Sequence, residues 1–226
     1  MKHHFFKIFS LSVLLLAIGC TEKLDISSNE RLLVKGKVVD QNGNPIQNIY
    51  IRTSAVYKTL ASAKSDVLGN FEFTSLNAND NPLFVNVNIA EEFGSEIDNP
   101  DYSSKVYSSG VANRDLLLDL GTITLNGVGT LSLFLKNVAG DDNFLEYTLS
   151  YTSNICKLPL NANGNDFCEL DQTESNSFDP TSENRTINRE SILGSFAIFE
   201  YKFNNGPTQT IEIPVTNPPT NYVFEY

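Results

Sequence analysis

The sequence contains no tryptophan, and its two histidines, His3 and His4, both stand at the extreme N-terminus. Removal of a leader that holds them would leave a chain without any imidazole. Histidine-based acid–base catalysis, His-ligated metals and His-activated nucleophiles would then all be excluded. The sequence therefore predicts a protein that is not an enzyme, with no catalytic residue, no metal site and no cofactor.

Basic residues are also scarce: 16 lysines and arginines stand against 27 acidic residues, a net charge of −11. A basic face is the main source of affinity for nucleic acids, so we expect no nucleic-acid partner. Charged residues make up 19% of the chain and hydrophobic ones 41%, a balance typical of globular proteins. The length of 226 residues allows one large domain or two small β domains.

The apolar run Ile8–Ile18 is too short to span a bilayer, but after Lys2 and Lys7 it is typical of a secretory signal. The residues that follow it complete the stretch Leu16-Ala17-Ile18-Gly19-Cys20, which resembles the lipobox of bacterial lipoproteins. The resemblance implies a signal peptide over 1–19 and a lipid-bearing, palmitoylated Cys20. A lipobox usually has leucine where this chain has Ala17, and an ordinary cleaved signal with an incidental cysteine is the alternative.

Several acyl chains on Cys20 would attach the protein firmly to a membrane. We expect an outer-membrane lipoprotein of a Gram-negative cell, on the periplasmic or the cell-surface side. The polar residues 20–30 are predicted to be a flexible tether. Glu22 and Asp25 are compatible with routing to the cell surface. Without residues 1–19, 14 basic and 27 acidic residues remain, a net charge of −13.

Residues 31–126 show the period-two alternation of β-strands. Val34, Gly36 and Val38 share one face, whereas Lys35 and Lys37 share the other. Turn signals separate the strands, chiefly Asn42-Gly43 with Pro45, and Asp66 with Gly69. The polar stretch 91–113 is predicted to be irregular, with at most a short strand near 105–107.

Three phrases in this region resemble the carboxypeptidase regulatory-like domain, a β-sandwich of the transthyretin (prealbumin) type. The first comprises Gly36, Val38, Asp40, Gly43, Pro45 and Ile46; the second Ser65, Asp66, Gly69, Phe71 and Phe73; the third Asp119 to Leu125. The match departs from the family at Asn81-Pro82, where a Gly-Tyr pair is usual. The family implies a non-catalytic module, and the chain has no HxxE zinc motif that would indicate a peptidase.

Residues 127–226 resemble no family that we recognise, but several segments alternate in the same way. Leu131, Leu133 and Leu135 share one face, and Ala197, Phe199, Tyr201 and Phe203 form an aromatic row on another strand. Asn204 to Pro207 and Asn217 to Pro219 are predicted to be hairpin turns, and 171–184 a mobile loop. The whole chain is thus predicted to be all-β, with two β-sandwich domains in tandem over 31–126 and 127–226.

Cys156 and Cys168 lie twelve residues apart and are the only cysteines after Cys20. In an oxidising envelope compartment they are expected to form a disulfide. A redox or metal pair is the alternative, but a C-x-x-C spacing and histidine partners are both missing.

Three kinds of binding site have sequence candidates. A carboxylate pair would come from Asp98 with Asp101 or from Asp141 with Asp142. Calcium would draw on the turns at 99–101, 140–143 and 161–166, none of which has EF-hand spacing. A sugar would stack on Tyr102, Tyr107 or Tyr151. Solvated loop acids, ordinary turns and tyrosines of the core or sheet surface are the simpler explanation of these residues, and the binding residues stay unknown.

These observations predict a lipid-anchored binding, adaptor or scaffold protein whose partner is another envelope protein or a polysaccharide. Pairing of a partner strand with a sheet edge is one mode that this architecture allows. A fimbria- or pilus-type subunit released by cleavage after Arg31 is the alternative. A surface glycan-binding protein is a further one.

Overall fold

The computed structural model describes residues 26–55, 58–78, 82–90, 97–109, 115–138, 140, 142–160 and 168–226. Every regular element in these residues is a β-strand, which confirms the predicted all-β class. None of the described residues forms a helix of the length and hydropathy that a membrane span requires.

The first sandwich contains two sheets. One is three-stranded, in the order β4-β1-β7, and the other five-stranded, in the order β10-β6-β5-β2-β3, where β10 (Ile155–Pro159) comes from much later in the chain. The first seven strands are β1 (Ile26–Asp40), β2 (Tyr50–Ala55), β3 (Lys58–Lys64), β4 (Asn70–Ala78), β5 (Leu83–Val87), β6 (Ser104–Ser109) and β7 (Leu117–Leu125).

A single apolar cluster fills the space between these two sheets. It includes Val34 and Val38 from β1, Ile51 from β2, Val85 from β5 and Leu125 from β7, all with no exposed surface. Lys35 and Lys37 point the other way, so β1 alternates as its sequence predicts. Strand β6 is longer than predicted and lies between β5 and β10, so the stretch 91–113 holds a central strand of the sheet.

Two turns of the same construction lie at one end of this sandwich, at Asp40–Asn44 and Asp66–Asn70. In each, the aspartate carboxylate accepts hydrogen bonds of 2.8–2.9 Å from the backbone N–H groups two and four residues later. The fourth residue is a glycine with positive φ, 83° at Gly43 and 80° at Gly69. The sequence phrases around Asn42 and Gly69 are therefore copies of one Asp-x-x-Gly-Asn turn.

The carboxyl group of Asp40 has a pKa below its usual value. The largest cause is the hydrogen bond from the Asn44 side chain; the backbone N–H groups of Asn44 and Asn42 act in the same direction, and desolvation opposes them. Each of these bonds favours the ionised carboxylate. The turn is therefore stabilised at pH values above the ordinary pKa of aspartate and loses this stabilisation as the pH falls through the lowered pKa of Asp40.

The second sandwich pairs a four-stranded sheet, β11-β9-β13-β14, with a three-stranded sheet, β12-β8-β15. The remaining strands are β8 (Val128–Lys136), β9 (Leu145–Tyr151), β10 (Ile155–Pro159), β11 (Gln172–Phe178), β12 (Arg185–Ile192), β13 (Phe196–Phe203), β14 (Gln209–Pro214) and β15 (Asn221–Glu225). A second apolar cluster lies between these sheets and contains the three alternating leucines of β8.

Aromatic rings make up much of this second core. Phe199 has no exposed surface, and its ring lies 5.4 Å from the ring of Tyr147 and 4.9 Å from that of Phe224. Tyr201 and Phe203 pack on the same cluster, as the aromatic row on β13 predicts.

Two local predictions in this region are wrong. The predicted mobile loop 171–184 contains β11, whose hydroxyl groups pair with those of β9, at 2.9 Å between Thr148 and Ser175. A polar composition resembles that of a loop, but an edge strand with one solvated face tolerates it. The segment 217–219, with a cis Asn217–Pro218 bond, is also not a hairpin turn. It carries the chain from β14 to β15 in the opposite sheet, where β15 pairs with β8 in parallel.

Candidate functional site

The candidate site is the seam between the two sandwiches, which we define as the junction of β7 with β8 and the inserted strand β10. Strand β10 comes from the second half of the chain, within the predicted second domain, yet it extends the five-stranded sheet of the first sandwich. It pairs in parallel with β6, from Ile155 beside Ser104 to Pro159 beside Ser108. Leu158 is buried on this sheet, so β10 contributes to the first sandwich.

A disulfide between Cys156 and Cys168 closes this crossing, with a Cα–Cα distance of 5.6 Å. Cys156 lies on β10, and Cys168 shortly precedes β11 of the second sandwich. The bond therefore ties a strand of the first sandwich to the chain that enters the second. The pair is predicted because these are the only cysteines after Cys20, whereas nothing in the sequence indicates that they join two sandwiches.

Backbone and side-chain hydrogen bonds reinforce the seam where β7 passes into β8. The Gly127 N–H donates to the side-chain oxygen of Gln41, at 3.0 Å, inside the first Asp-x-x-Gly-Asn turn. The Asn126 N–H donates to the hydroxyl of Ser103 at 3.0 Å, and the Val128 N–H to the carbonyl of Asp101 at 3.1 Å. Contacts where β7 passes into β8, together with the insertion of β10, thus fix one sandwich against the other.

The side chain of Asn88 holds the polar residues 99–103 in place by hydrogen bonds. No sequence motif predicts this role. The Asn88 side chain is fully buried, and its amide nitrogen lies within 2.9–3.1 Å of the carbonyl oxygens of Asn99, Tyr102 and Ser103. Its amide oxygen accepts from the Asn99 N–H at 2.8 Å. This segment forms one wall of the seam, so Asn88 acts as a structural anchor for it.

A cleft of about 240 Å³ opens at the seam beside the disulfide. Its lining combines the buried Lys105 with Cys156, Cys168, Glu169 and Ser195. Among the described residues, no group of three histidines, cysteines, aspartates or glutamates is placed to hold a metal ion. The cleft is lined by hydroxyl groups and an amine. The main feature of this region, however, is the covalent link that the disulfide makes between the two sandwiches.

The other sequence candidates do not converge on a site. Asp98 and Asp101 are exposed, and the Asn99 side chain between them accepts from the Asp101 N–H at 3.1 Å, which is ordinary turn chemistry. Asp142 is exposed and Asn143 hydrogen-bonds Asn204 at 3.1 Å. Asp141, 161–166 and Cys20 lie outside the described residues.

The three candidate sugar-binding tyrosines are partly buried and lie against the apolar cores. Tyr102 and Tyr107 pack against the first apolar cluster and Tyr151 against the second. A stacking platform needs an exposed ring face, and each of these rings has only part of its surface exposed.

Removal of the disulfide is expected to destabilise the seam. With Cys156 and Cys168 both replaced by alanine, the free energy of unfolding should fall by about 3 kcal/mol, because a short closed loop no longer restricts the unfolded chain. Denaturant unfolding of wild type and variant, each with and without reductant, measures the change. Reductant should shift the wild type alone, to the midpoint of the variant; an unshifted wild type would contradict the prediction.

The sequence matches no protein-family model and no curated protein. Among solved structures, the chain is similar to the Bacillus anthracis TIE protein, with 12% identity over 88% of this chain and a TM-score of 0.33. It spans 33% of the length of that protein. The truncated tip fimbrial protein Mfa3 of Porphyromonas gingivalis shares 12% identity, with 80% of each chain covered and a TM-score of 0.29.

The shaft pilin spaA of Lactobacillus rhamnosus GG shares 6% identity over 88% of this chain and 98% of its own, with a TM-score of 0.28. Identities and TM-scores this low assign neither a family nor a function to this chain.

Proposed function

We propose that this protein is a non-catalytic, lipid-anchored envelope protein in which the first sandwich is a spacer that carries the second sandwich away from the membrane. The second sandwich then serves a structural, adaptor or adhesive role towards another envelope protein or a polysaccharide. The observation that carries the proposal is the direction of the strands, which puts the tether and the second sandwich at opposite ends of the first.

Strand β1 defines this direction. It starts at Ile26, inside the segment 20–30 that the sequence predicts as the tether, so at most residues 20–25 can serve as one, with a reach of about 20 Å. It ends at Asp40, next to Gln41, which contacts the second sandwich through Gly127. Fifteen strand residues span roughly 40–50 Å. A lipid at Cys20 would therefore leave the second sandwich at the far end of this spacer.

We further propose that the first sandwich is a carboxypeptidase regulatory-like domain. The three phrases that carry the resemblance lie on β1, β4 and β7, which are neighbours in one sheet. Two of them enclose the paired Asp-x-x-Gly-Asn turns. The phrases thus specify a common structural unit, and they account for sheet and turn geometry without indicating a ligand.

Lipidation at Cys20 is tested by labelling cells with an alkyne-tagged fatty acid. The native chain is expected to take up the label, and Cys20→Ala should lose it entirely because no thiol remains at the lipidation position. Thr21→Ala, one residue further on, is the matched control and should stay labelled. Equal labelling of Cys20→Ala and the control would refute the anchor.

A fimbria-type subunit remains a second candidate because of the position of Arg31. Arg31 is exposed, and cleavage after it would remove the first part of β1, which pairs with the end of β4 from Leu76 to Ala78. The Glu30 carboxylate also accepts from the Asn77 side chain at 2.8 Å. N-terminal sequencing decides: filaments sheared from cells with chains that begin at Leu32 support the subunit, and acylated Cys20 in membranes supports the anchor.

A further inference from the structure

A pair of parallel strands, β1 and β7, connects the tether to the second sandwich through the first sandwich. Strand β1 enters from the tether side and β7 leaves towards the second sandwich. The two strands lie side by side and run in the same direction, with seven aligned pairs from Leu33–Leu117 to Asp40–Leu125. Tension along the molecule would therefore pull β1 from its first residues and β7 from its last, at opposite ends of one ladder.

This loading geometry decides how the ladder resists force. When parallel strands are pulled from opposite ends, they slide lengthwise, so all backbone hydrogen bonds between them are strained together. When two strands are pulled from the same end, the bonds break one pair at a time. Each bond contributes only about 1 kcal/mol to stability. The ladder therefore resists a high force only when all of its bonds are loaded at the same time.

Strand β1 is also the central strand of its sheet. It pairs with β4 on one side and with β7 on the other. Withdrawing it lengthwise would disrupt the antiparallel β4 ladder, from Arg31–Leu76 to Lys37–Asn70, as well as the β7 ladder. Its inward side chains Leu32, Val34 and Val38 have no exposed surface, so water cannot easily replace the strained hydrogen bonds.

A second pair of parallel strands, β10 and β6, also transmits force between the two sandwiches at the seam. Strand β10 enters the first sandwich at its seam end and pairs in parallel with β6, beginning at Ile155–Ser104. A pull on the second sandwich would draw β10 lengthwise along β6. The disulfide between Cys156 and Cys168 joins the two ends of this inserted segment, so force cannot extend the chain between the two cysteines.

We propose that the first sandwich is a mechanical clamp, which bears tension between its tether and the second sandwich by loading β1 in shear against β7 and β4. The proposal rests on the proposed anchoring for the source of the tension, but the clamp itself is a property of the strand order. It extends the spacer role to a load-bearing one, and the partner held by the second sandwich would supply the opposing pull.

Single-molecule force spectroscopy on the unlipidated chain tests the clamp. Handles on the Cys20 thiol and on the C-terminus load β1 and β7 in shear. In a second arrangement the handles are placed on Cys20 and on a cysteine introduced as Asp115→Cys, an exposed position just before β7. Because β1 and β7 both begin at this end, the second arrangement separates them pair by pair.

The shear arrangement is expected to rupture the first sandwich at a force at least about threefold higher than the unzipping arrangement, because its hydrogen bonds act together. Unfolding of Asp115→Cys by denaturant should match that of the native chain, which shows that only the direction of pulling differs. Equal rupture forces, or a lower force in shear, would overturn the clamp. Loss of fatty-acid labelling concerns the anchor alone and leaves this result unaffected.

Discussion

Replacement of Gly69 by alanine is expected to lower the free energy of unfolding by roughly 3–5 kcal/mol, whereas Gly43→Ala should cost about 1–2 kcal/mol. The two glycines occupy equivalent positions in the two Asp-x-x-Gly-Asn turns, with φ values of 80° and 83°. Alanine at either position is strained by positive φ. The backbone strain is therefore nearly the same in both variants.

Their surroundings make the difference. A Cβ at Gly69 would collide with the carbonyl oxygen of Val38 and approach the side chain of Pro45 at 3.2 Å. A Cβ at Gly43 would meet no atom within 4 Å. The Val38 backbone lies in β1, the central strand, and its N–H also donates to the Gly69 carbonyl at 2.8 Å. The clash therefore displaces a buried strand rather than a flexible side chain.

Thermal or denaturant unfolding of both variants against the native chain measures the contrast. Comparable losses for Gly43→Ala and Gly69→Ala would contradict the close approach of the second turn to β1. A small loss at both positions would contradict the left-handed conformation that the two turns share.

Phe199→Ala is expected to lower the free energy of unfolding by about 3–5 kcal/mol, because it removes a fully buried ring from the second core. The loss combines the lost burial of apolar surface with the cavity that remains among Tyr147, Tyr201 and Phe224. The rings of these residues lie 4.9–5.6 Å from that of Phe199, so three aromatic contacts disappear together.

Phe196→Ala is the matched control, since it makes the same chemical change three residues earlier on β13. Phe196 lies on the outward face of the strand and is 52% exposed. Its removal should change the free energy of unfolding by no more than about 0.5 kcal/mol. Circular dichroism during denaturant unfolding compares the two variants, and a loss at Phe196 equal to that at Phe199 would show that the faces of β13 are assigned wrongly.

Much of the local structure follows from the sequence. The alternation of Val34 and Val38 with Lys35 and Lys37 predicts the buried face of β1, because successive side chains of a strand point to opposite faces. The row from Ala197 to Phe203 predicts the interior face of β13 for the same reason. The sequence does not show whether its candidate site residues come together, since ligand-binding geometry depends on residues far apart in the chain.

Three features required the tertiary structure. An alternating segment such as β10 fits the edge of any sheet, so its sequence cannot show that it joins the first sandwich. The polar residues of β11 indicate a strand only when β9 provides their hydroxyl partners. Asn88 resembles any surface asparagine until the carbonyls of 99–103 surround it.

By itself, the sequence determined the all-β class, the two Asp-x-x-Gly-Asn turns and the pairing of Cys156 with Cys168, because each depends on residues that are close together in the chain. The choice of strand partners was decided by the tertiary structure alone. Parallel neighbours such as β1 and β7 are separated by most of the first sandwich in sequence, and they meet only where their side chains share one core and their backbones pair.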